Sequence, residues 1–259
     1  MQEEKLIYQG SNLERLDLFL TENFNNYSRS LLQNLIKQGL ILVNGKKVKP
    51  SYLLEEGDEV VFTPPQIKSK INIKDLIIYE DKNFLVINKP AGLLVHPQSE
   101  LWEENQTALF ASEETLVSII MANPPDNFDT SISRMGLVHR LDKETSGVML
   151  VAKNEKFQTR MLTLFADRKV QKTYNAICCG KVPNKEGVID VPIGREAGGR
   201  IKASALGRKA ITNFEVLEQT EKFSLMALYP HTGRTNQLRV HMNWLGYPVL
   251  GDWLYKGAQ

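Results

Sequence analysis

Two apolar runs enclose a polar stretch of nine residues near the middle of the chain, and this pattern restricts the possible folds more than any other feature. Residues 135–138 precede the stretch and residues 148–152 follow it, and the second run has the length and composition of a buried strand. The chain therefore leaves the interior at 139–147, turns and returns. Such a loop, held between buried elements, often presents reactive side chains, although an isolated Arg-Leu-Asp would favour a purely structural turn.

The length of 259 residues allows one large domain or two of ordinary size. A hydrophobic fraction of 42% and a charged fraction of 24% are typical of a soluble globular protein. No apolar run approaches the roughly 18 residues of a membrane span, and residues 1–5 differ from a signal peptide, so we expect a cytoplasmic protein without a membrane partner. Cys178 and Cys179 are adjacent in a predicted strand and point to opposite faces, which favours core residues over a disulfide.

The net charge of +2 is unevenly distributed along the chain. Residues 75–133 contain two basic residues (Lys or Arg) and ten acidic residues (Asp or Glu). Residues 134–209 contain sixteen basic and seven acidic residues. This division favours a polyanionic partner on the basic side. Charge alone supports a solvated surface equally well.

Residues 12–63 are predicted to form a small unit of two helices and a small sheet. Apolar residues at helical spacing predict a first helix over 13–20, and Ser28 or Ser30 is placed to cap a second helix that ends at Gly39. The other predicted elements are strands at 40–43 and 59–62 and a hairpin turn at Asn44-Gly45.

Five short segments of this unit are Arg15-Leu16-Asp17, Ser28-Arg29-Ser30, Ile36-Lys37-Gln38-Gly39, Val43-Asn44-Gly45-Lys46 and Gly57-Asp58. Together they resemble the alpha-L RNA-binding module named after a small-subunit ribosomal protein. The resemblance implies a structured RNA ligand, and the expected phosphate contacts are Arg29, Lys37, Lys46 and Lys47. Residues 1–66 contain seven basic and nine acidic side chains, so an RNA-binding face must be a local patch.

A polar linker at residues 64–74 is predicted to lead to a second domain at 75–259. Its strand patterns are joined by long connections with two or three helices, which indicates an α+β domain with a mostly antiparallel sheet. The predicted elements are strands at 76–79 and 84–87, an irregular acidic segment at 98–114, a helix at 115–122, a helix at 155–168 with Phe157, Met161, Leu164 and Phe165 facing inward, and strands at 172–179, 210–217 and 225–229.

Four segments of the second domain carry a further resemblance. They are residues 80–97 with Asn88-Lys89-Pro90-Ala91-Gly92 and Val95-His96-Pro97, residues 139–147, residues 172–176, and residues 232–241, followed by Gly246-Tyr247-Pro248 and Gly251-Asp252. In this order they resemble the large-ribosomal-subunit (RluA) type of pseudouridine synthase, in which an amino-terminal alpha-L module is common. The resemblance implies the pseudouridine synthase fold, an α+β domain preceded here by the small α/β module.

This resemblance implies isomerisation of uridine to pseudouridine within structured RNA, with 23S rRNA expected ahead of tRNA. The bond from ribose to the base nitrogen breaks, the base rotates while it is held, and a bond to its carbon 5 forms. No cofactor or metal is expected, and the sequence lacks a glycine-rich phosphate loop and zinc-ligand spacing. A monomer is expected.

The resemblance also assigns the reacting residues. Asp142 is the expected catalytic carboxylate, Tyr174 stacks against the base, and Arg239 keeps Asp142 ionised. Burial raises the pKa of an Asp from about 3.9 by as much as ~3–5 units, and a nearby cation offsets this effect. Arg140 is expected to occupy the space of the flipped base, because a guanidinium is planar. The predicted substrate-binding set is completed by His139, Thr145, Arg234 and Leu238.

Other interpretations stay open. A noncatalytic RNA-binding or ribosome-assembly protein would keep the fold without turnover, and hydrolysis of a glycosidic bond would need a second carboxylate, for which Glu144 is the only near candidate. Arg234 and Arg239 lie five apart on a predicted helix and would pair with surface acids in a purely structural role. The four histidines lack the spacing of a metal site, and Lys89-Pro90 either supports the active loop or forms only a turn.

Two departures from the family pattern are present. Asn236 stands where the family usually has histidine, a change that we expect to be tolerated. The chain ends at Gln259, soon after 251–252, whereas relatives commonly continue for another strand, so we expect either a short form or a sheet completed differently.

Overall fold

The computed structural model describes residues 3–24, 27–63, 69–97, 102, 113–196 and 198–255. The chain divides into two compact units, Met1–Thr159 and Arg160–Gln259. Within the described ranges, every pair of named strands is antiparallel, as the sequence predicts. The helices in these same ranges are all too short or too polar to cross a membrane. The boundaries predicted at 12–63, 64–74 and 75–259 stay predictions.

The first unit begins with two helices against a three-stranded sheet. Its elements are β1 (Glu4–Ile7), β2 (Glu14–Arg15), α1 (Leu16–Asn23), α2 (Arg29–Gln38), β3 (Ile41–Val43), β4 (Leu53–Leu54) and β5 (Glu59–Phe62), with the sheet order β1-β5-β3. The predicted first helix starts too early, because residues 14–15 pair with β4 and leave Leu13 exposed. The buried side chains Leu16, Leu32, Ile36 and Phe62 belong to one apolar core.

Local signals set the limits of α2 and of the following turn. The Ser28 side chain accepts the N–H of Leu31 at the start of α2, and Gly39 ends the helix with a φ of 82°. Asn44 and Gly45 both have positive φ, as the predicted hairpin turn requires. These predictions are confirmed.

The rest of the first unit contains a second three-stranded sheet, ordered β6-β7-β8. The elements are α3 (Ile73–Leu76), β6 (Ile77–Glu80), β7 (Phe84–Lys89), α4 (Leu116–Ala122), β8 (Gly147–Ala152) and the first residues of α5 (Glu155–Ala166), which continues past the unit boundary at Thr159. Residue 76 was predicted to start a strand but ends α3, which begins where the Asn72 side chain accepts the N–H of Lys74. The predicted irregular segment at 98–114 lies almost wholly outside the described residues.

Helix α5 differs from its prediction. It ends at Ala166 rather than Arg168, which has a left-handed φ of 57°. Its predicted apolar face is only half-buried, whereas the fully packed side chain is Gln158. The Gln158 amide donates to the carbonyl oxygens of Ser133 and Leu137, so hydrogen bonds compensate the burial of a polar group.

The second unit is a four-stranded sheet, a hairpin and a helix. Its elements are β9 (Tyr174–Cys179), β10 (Glu186–Asp190), β11 (Ile193–Arg195), β12 (Ile201–Ala203), β13 (Ile211–Gln219), β14 (Phe223–Pro230) and α6 (Gln237–Trp244), with the sheet order β10-β13-β14-β9. Cys178 and Cys179 are free thiols, and burial raises the pKa of Cys178 to about 12. Cys178 is therefore an unreactive core residue, as predicted, whereas Cys179 is only half-buried, which differs from the prediction.

Candidate active site

The loop 139–147 is fastened to β8 at the point where it begins. Leu137 forms an antiparallel bridge with Val151, and the backbone N–H of Leu150 donates to His139 Nε2 at 2.9 Å. Strand β8 is also where the loop returns, so both of its ends are attached to one strand. His139, predicted to bind substrate, thus has a structural role in closing this loop.

The entry to the loop is a tight left-handed turn. Arg134, Met135 and Gly136 have φ values of 55°, 49° and 74°. A Cβ on Gly136 would overlap the carbonyl oxygen of Ala152, so this position needs glycine for both its backbone angle and its close approach to β8.

Asp142 lies in a turn that other backbone segments hold. The N–H of Thr145 donates to the Asp142 carbonyl oxygen at 3.1 Å, which closes the turn. The carbonyl oxygen of Lys143 accepts the N–H of Gly92 at 2.9 Å and the ammonium of Lys89 at 3.1 Å. The turn is therefore tied to the loop that follows β7, and the half-buried Asp142 is presented from a fixed backbone.

Lys89 is fully buried and bridges these two loops. Its ammonium donates to the carbonyl oxygens of Pro90 at 2.8 Å, Leu93 at 2.8 Å and Lys143 at 3.1 Å. Burial lowers the pKa of Lys89 to about 8, while the carboxylates of Glu144 and Asp142 act in the opposite direction. The Lys89-Pro90 segment supports the loop, which is the first of the two interpretations that the sequence left open.

Arg140 extends from the same loop and is exposed. Its Nη1 lies 2.6 Å from Nε2 of His96, and Nδ1 of His96 lies 2.7 Å from the carbonyl oxygen of Pro97. Since the guanidinium only donates, Nε2 accepts and Nδ1 carries the hydrogen. The imidazole also stacks on Trp102, with centroids 5.4 Å apart. Sequence reasoning treated His96 as part of a family motif and as a metal ligand to be weighed, and it missed this contact with Arg140.

In the second unit, Tyr174 and Leu238 pack against one apolar cluster. Tyr174 starts β9 opposite Leu228 and is half-buried, and Leu238 lies on α6. The shared cluster includes Met226 and Met242. Both predicted residues are thus fixed by packing at the junction of the sheet with α6.

Arg239 is held by an ion pair. Its Nε and Nη2 donate to the two carboxylate oxygens of Asp252 at 2.6 and 2.8 Å, and its Nη1 donates to Asn236 Oδ1 at 3.2 Å. The guanidinium lies over the ring of Tyr255, 5.1 Å from the centroid. The acid that pairs with Arg239 is buried rather than on the surface, and the predicted pairing with Asp142 stays a prediction.

Arg234 precedes α6 instead of lying on it, which corrects the predicted helical spacing of the two arginines. Its Nε donates to the carbonyl oxygen of Lys209, and its N–H donates to Gln237 Oε1. The Gln237 side chain also binds Thr232 and the Ile211 carbonyl oxygen. Sequence reasoning missed this buried amide because its partners come from distant positions.

His241 is a buried residue of the same junction. Its Nδ1 lies 2.9 Å from the Thr212 hydroxyl, and its Nε2 lies 3.0 Å from the carbonyl oxygen of Val191. Burial lowers the pKa of His241, which favours the neutral ring. In the described part of the chain, no three His, Cys, Asp or Glu side chains converge as metal ligands.

The amino-terminal module contains a charged cluster around Asp17, which is fully buried. Its carboxylate accepts hydrogen bonds from the side chains of Arg15, Arg29 and Gln33. The hydrogen bond from Arg15 is the largest cause of the lowered pKa of Asp17, and burial acts against it.

Arg29 is half-exposed while paired with Asp17, and Arg15, which the prediction omitted, lies in the same arrangement. The predicted contacts Lys37, Lys46 and Lys47 are exposed.

A profile described as RNA pseudouridylate synthase matches residues 83–244, and one described as S4 domain matches residues 14–60. The "Uncharacterized RNA pseudouridine synthase YlyB" of Bacillus subtilis is 37% identical over 92% of this chain and 78% of the relative. The "Ribosomal large subunit pseudouridine synthase D" of Borreliella burgdorferi is 37% identical over 94% of this chain and 76% of the relative, and its namesake in Pseudomonas aeruginosa is 35% identical over 94% and 74%.

Among solved structures, "Human RNA Pseudouridylate Synthase Domain Containing 4" is similar, with a TM-score of 0.55 and 33% identity over 72% of this chain and 71% of the human one. The chain therefore belongs to the RNA pseudouridine synthase family. It is an isomerase with an amino-terminal S4 domain, so the predicted fold, family and reaction class are confirmed.

Proposed function

We propose that this chain converts specific uridines of large-subunit rRNA, the 23S rRNA, to pseudouridine. The observation that carries the proposal is its identity of 37% and 35% to relatives named ribosomal large subunit pseudouridine synthase D. The exposed cations Lys37, Lys46 and Lys47 and the half-exposed Arg29 of the S4 domain support contact with RNA phosphates. The chain acts as a cytoplasmic monomer and needs no cofactor or metal.

The carboxylate of Asp142 acts at carbon 1′ of the target uridine. As the bond to base nitrogen 1 breaks, the carboxylate stabilises or attacks the electron-poor sugar carbon, so it must be ionised. Carbon 5 of the rotated base then bonds to carbon 1′, and any bond formed between carbon 1′ and the carboxylate breaks and returns its electron pair to Asp142. The proton of carbon 5 leaves to water, and nitrogen 1 gains a proton. The turn held by Lys89 and Gly92 supports this role, because it fixes the backbone from which Asp142 reaches substrate.

Arg239 supplies the positive charge that keeps Asp142 ionised. A guanidinium carries five N–H donors, so three bonds to Asp252 and Asn236 do not exhaust its capacity for acceptors. Tyr174 stacks against the base, which its anchored position at the start of β9 supports. Stacking is assigned more firmly than proton transfer, because a phenol titrating near ~10 is a poor base.

Arg140 replaces the flipped base within the RNA stack. Removing a base from a helix costs a few kcal/mol, and a planar guanidinium recovers part of this by stacking. The exposure of Arg140 on a loop with two fixed ends supports this role. His139 and Thr145 maintain the loop, and Arg234, which precedes α6, and Leu238, in its first turn, contact the substrate.

Tritium release from RNA labelled at uridine carbon 5 tests the role of Asp142. We expect Asp142→Asn to abolish release, since the amide supplies neither charge nor nucleophile. The matched control is Glu144→Gln, which removes an exposed neighbouring carboxylate and is expected to keep kcat within about threefold. Release by Asp142→Asn at the wild-type rate contradicts the assignment, and free uracil in the product would favour hydrolysis.

The choice of RNA is tested separately by mapping pseudouridines in cells with and without the protein. We expect specific 23S rRNA positions to lose the modification when the protein is absent and to regain it with wild type but not with Asp142→Asn. Loss confined to tRNA would overturn the proposed substrate and leave the reaction unaffected.

A further inference from the structure

The guanidinium of Arg239 is fixed along one whole edge. Nε and Nη2 donate side-on to the carboxylate of Asp252, and the side chains of Arg239 and Asp252 are only 17% and 3% exposed. Two parallel hydrogen bonds define both the position and the plane of a guanidinium. An arginine without these partners would lose rotamer entropy on reaching one such orientation.

Asn236 extends this arrangement to the other side of the guanidinium. Its Oδ1 accepts from Arg239 Nη1, while its Nδ2 donates to the Tyr255 hydroxyl at 3.0 Å. The ring of Tyr255 lies against the guanidinium as well. One amide, in the position where the family usually has histidine, therefore joins the arginine to the aromatic ring beneath it.

Asp252 is itself held rigidly in its ionised form. Its Oδ1 accepts the backbone N–H groups of Leu254 and Tyr255, both at 3.0 Å. Burial acts to raise the pKa of Asp252, but hydrogen bonds from Arg239 and these two N–H groups outweigh it and lower the pKa. The carboxylate is a hydrogen-bonded anion against which the arginine is set.

The turn that carries Asp252 has anchors of its own. The N–H of Asp252 donates to the Val249 carbonyl oxygen, and Tyr255 packs in an apolar cluster with Val240 and Ala210. The turn thus has contacts besides the ion pair, so a role of the ion pair in orienting the arginine is consistent with the geometry.

We propose that Asp252, Asn236 and Tyr255 are positioning residues that set the guanidinium of Arg239 for catalysis. The inference rests on the proposed role of Arg239 and deepens it. Asp252 contacts no reacting atom and acts through the arginine. A displaced guanidinium stabilises the catalytic carboxylate less well, so the loss falls on kcat rather than on binding of RNA.

The test measures tritium release under steady-state conditions for wild type, Asp252→Asn, Arg239→Gln and the double variant. For Asp252→Asn we expect kcat to fall roughly 10–100-fold, as for a displacement of about 1 Å at a reacting site, with the KM for RNA changed less than about threefold. The double variant is expected to be no slower than Arg239→Gln alone, because Asp252 acts only through Arg239.

Glu80→Gln is the matched control for stability. It changes a carboxylate to an amide in the ion pair of Glu80 with the buried Lys153, and it is expected to lower the thermal midpoint without changing kcat. If Asp252→Asn does not fold, Tyr255→Phe replaces it. That variant keeps the ring, removes the hydroxyl bound to Asn236 and is expected to reduce kcat roughly fivefold.

The outcomes separate this inference from the proposed function. Full activity of Arg239→Gln overturns the role of that arginine. If Arg239→Gln is slow but Asp252→Asn is fully active, only the proposed positioning role of Asp252 is overturned. The same conclusion follows from a fully active Tyr255→Phe if that variant has to replace Asp252→Asn. If the two losses of kcat multiply in the double variant, Asp252 acts independently of Arg239. That result also overturns the proposed positioning role.

Discussion

Replacement of Lys89 by methionine removes the cation that joins the loop after β7 to the Asp142 turn. Methionine keeps the apolar stem but leaves three carbonyl oxygens without their ammonium donor. Each unsatisfied buried acceptor costs about 1–3 kcal/mol. Relief of the buried charge returns about 3 kcal/mol, the equivalent of its lowered pKa. The carbonyl oxygen of Lys143 keeps the N–H of Gly92, so the cost of about 2–6 kcal/mol comes from the oxygens of Pro90 and Leu93. We expect a net loss of up to about 3 kcal/mol at pH 7.

The difference in unfolding free energy between wild type and Lys89→Met depends on pH. The pKa of Lys89 falls from 10.5 to about 8 on folding, so between these values the unfolded chain binds more protons than the folded chain. The unfolding free energy of the wild type therefore rises with pH in this window, a rise that the variant lacks. We expect the stability difference to grow by about 2 kcal/mol between pH 8 and pH 9.5.

Urea unfolding at pH 7, 8 and 9.5 measures these differences, and tritium release measures activity. Because Lys143 loses one of two donors, we expect the Asp142 turn to shift and kcat to fall roughly tenfold. The matched control is Lys153→Met, which removes a buried ammonium bound to a single carboxylate, Glu80, and should lose stability while keeping kcat. Equal kcat values for the two variants, with no widening above pH 8, would refute the bridging role of Lys89.

Three further changes test other parts of the molecule. Gly136→Ala should lower the unfolding free energy by at least about 2 kcal/mol in urea titrations, because alanine is strained at this φ and overlaps β8. His96→Ala frees the Arg140 side chain and should reduce kcat/KM roughly 3–10-fold, with no added loss when Arg140 is already alanine. Asp17→Asn should cost about 3 kcal/mol at pH 7 and weaken RNA binding through a misplaced Arg29 in filter assays. The lowered pKa of Asp17 stabilises the fold above pH ~4, and this contribution, absent from the variant, is lost as the pH falls through the folded pKa.

Short-range signals explain why much of the fold was predictable. Ser28, Gly39 and Asn44-Gly45 act on their own turn of chain, and each has the predicted role. The family motifs identified the loop that carries Asp142 because their residue types stand at neighbouring positions. Strand ends were missed by one or two residues, since pairing with a distant partner decides where a strand stops.

Long-range contacts explain what the sequence left undetermined. Lys89 reaches a carbonyl oxygen 54 residues away, and no local pattern indicates that a lysine beside a proline will be buried. The sequence pattern places Gln158 on the polar side of an amphipathic helix, yet in the structure it is the buried side chain of α5. Asp252 and Arg239 both lie in recognised motifs, but only the folded turn reveals that they pair.

The attachment of the 139–147 loop to β8 at both ends sets the distance that the loop has to span. Leu137 and His139 bind one end of that strand, and the loop re-enters it at Gly147, so the number of intervening residues is set by the span to be closed. The exposed side chain of Arg140 takes no part in this attachment to β8. We therefore expect an inserted or deleted residue in this loop to displace the backbone of Asp142, whereas exchange of an exposed side chain would leave that backbone in place.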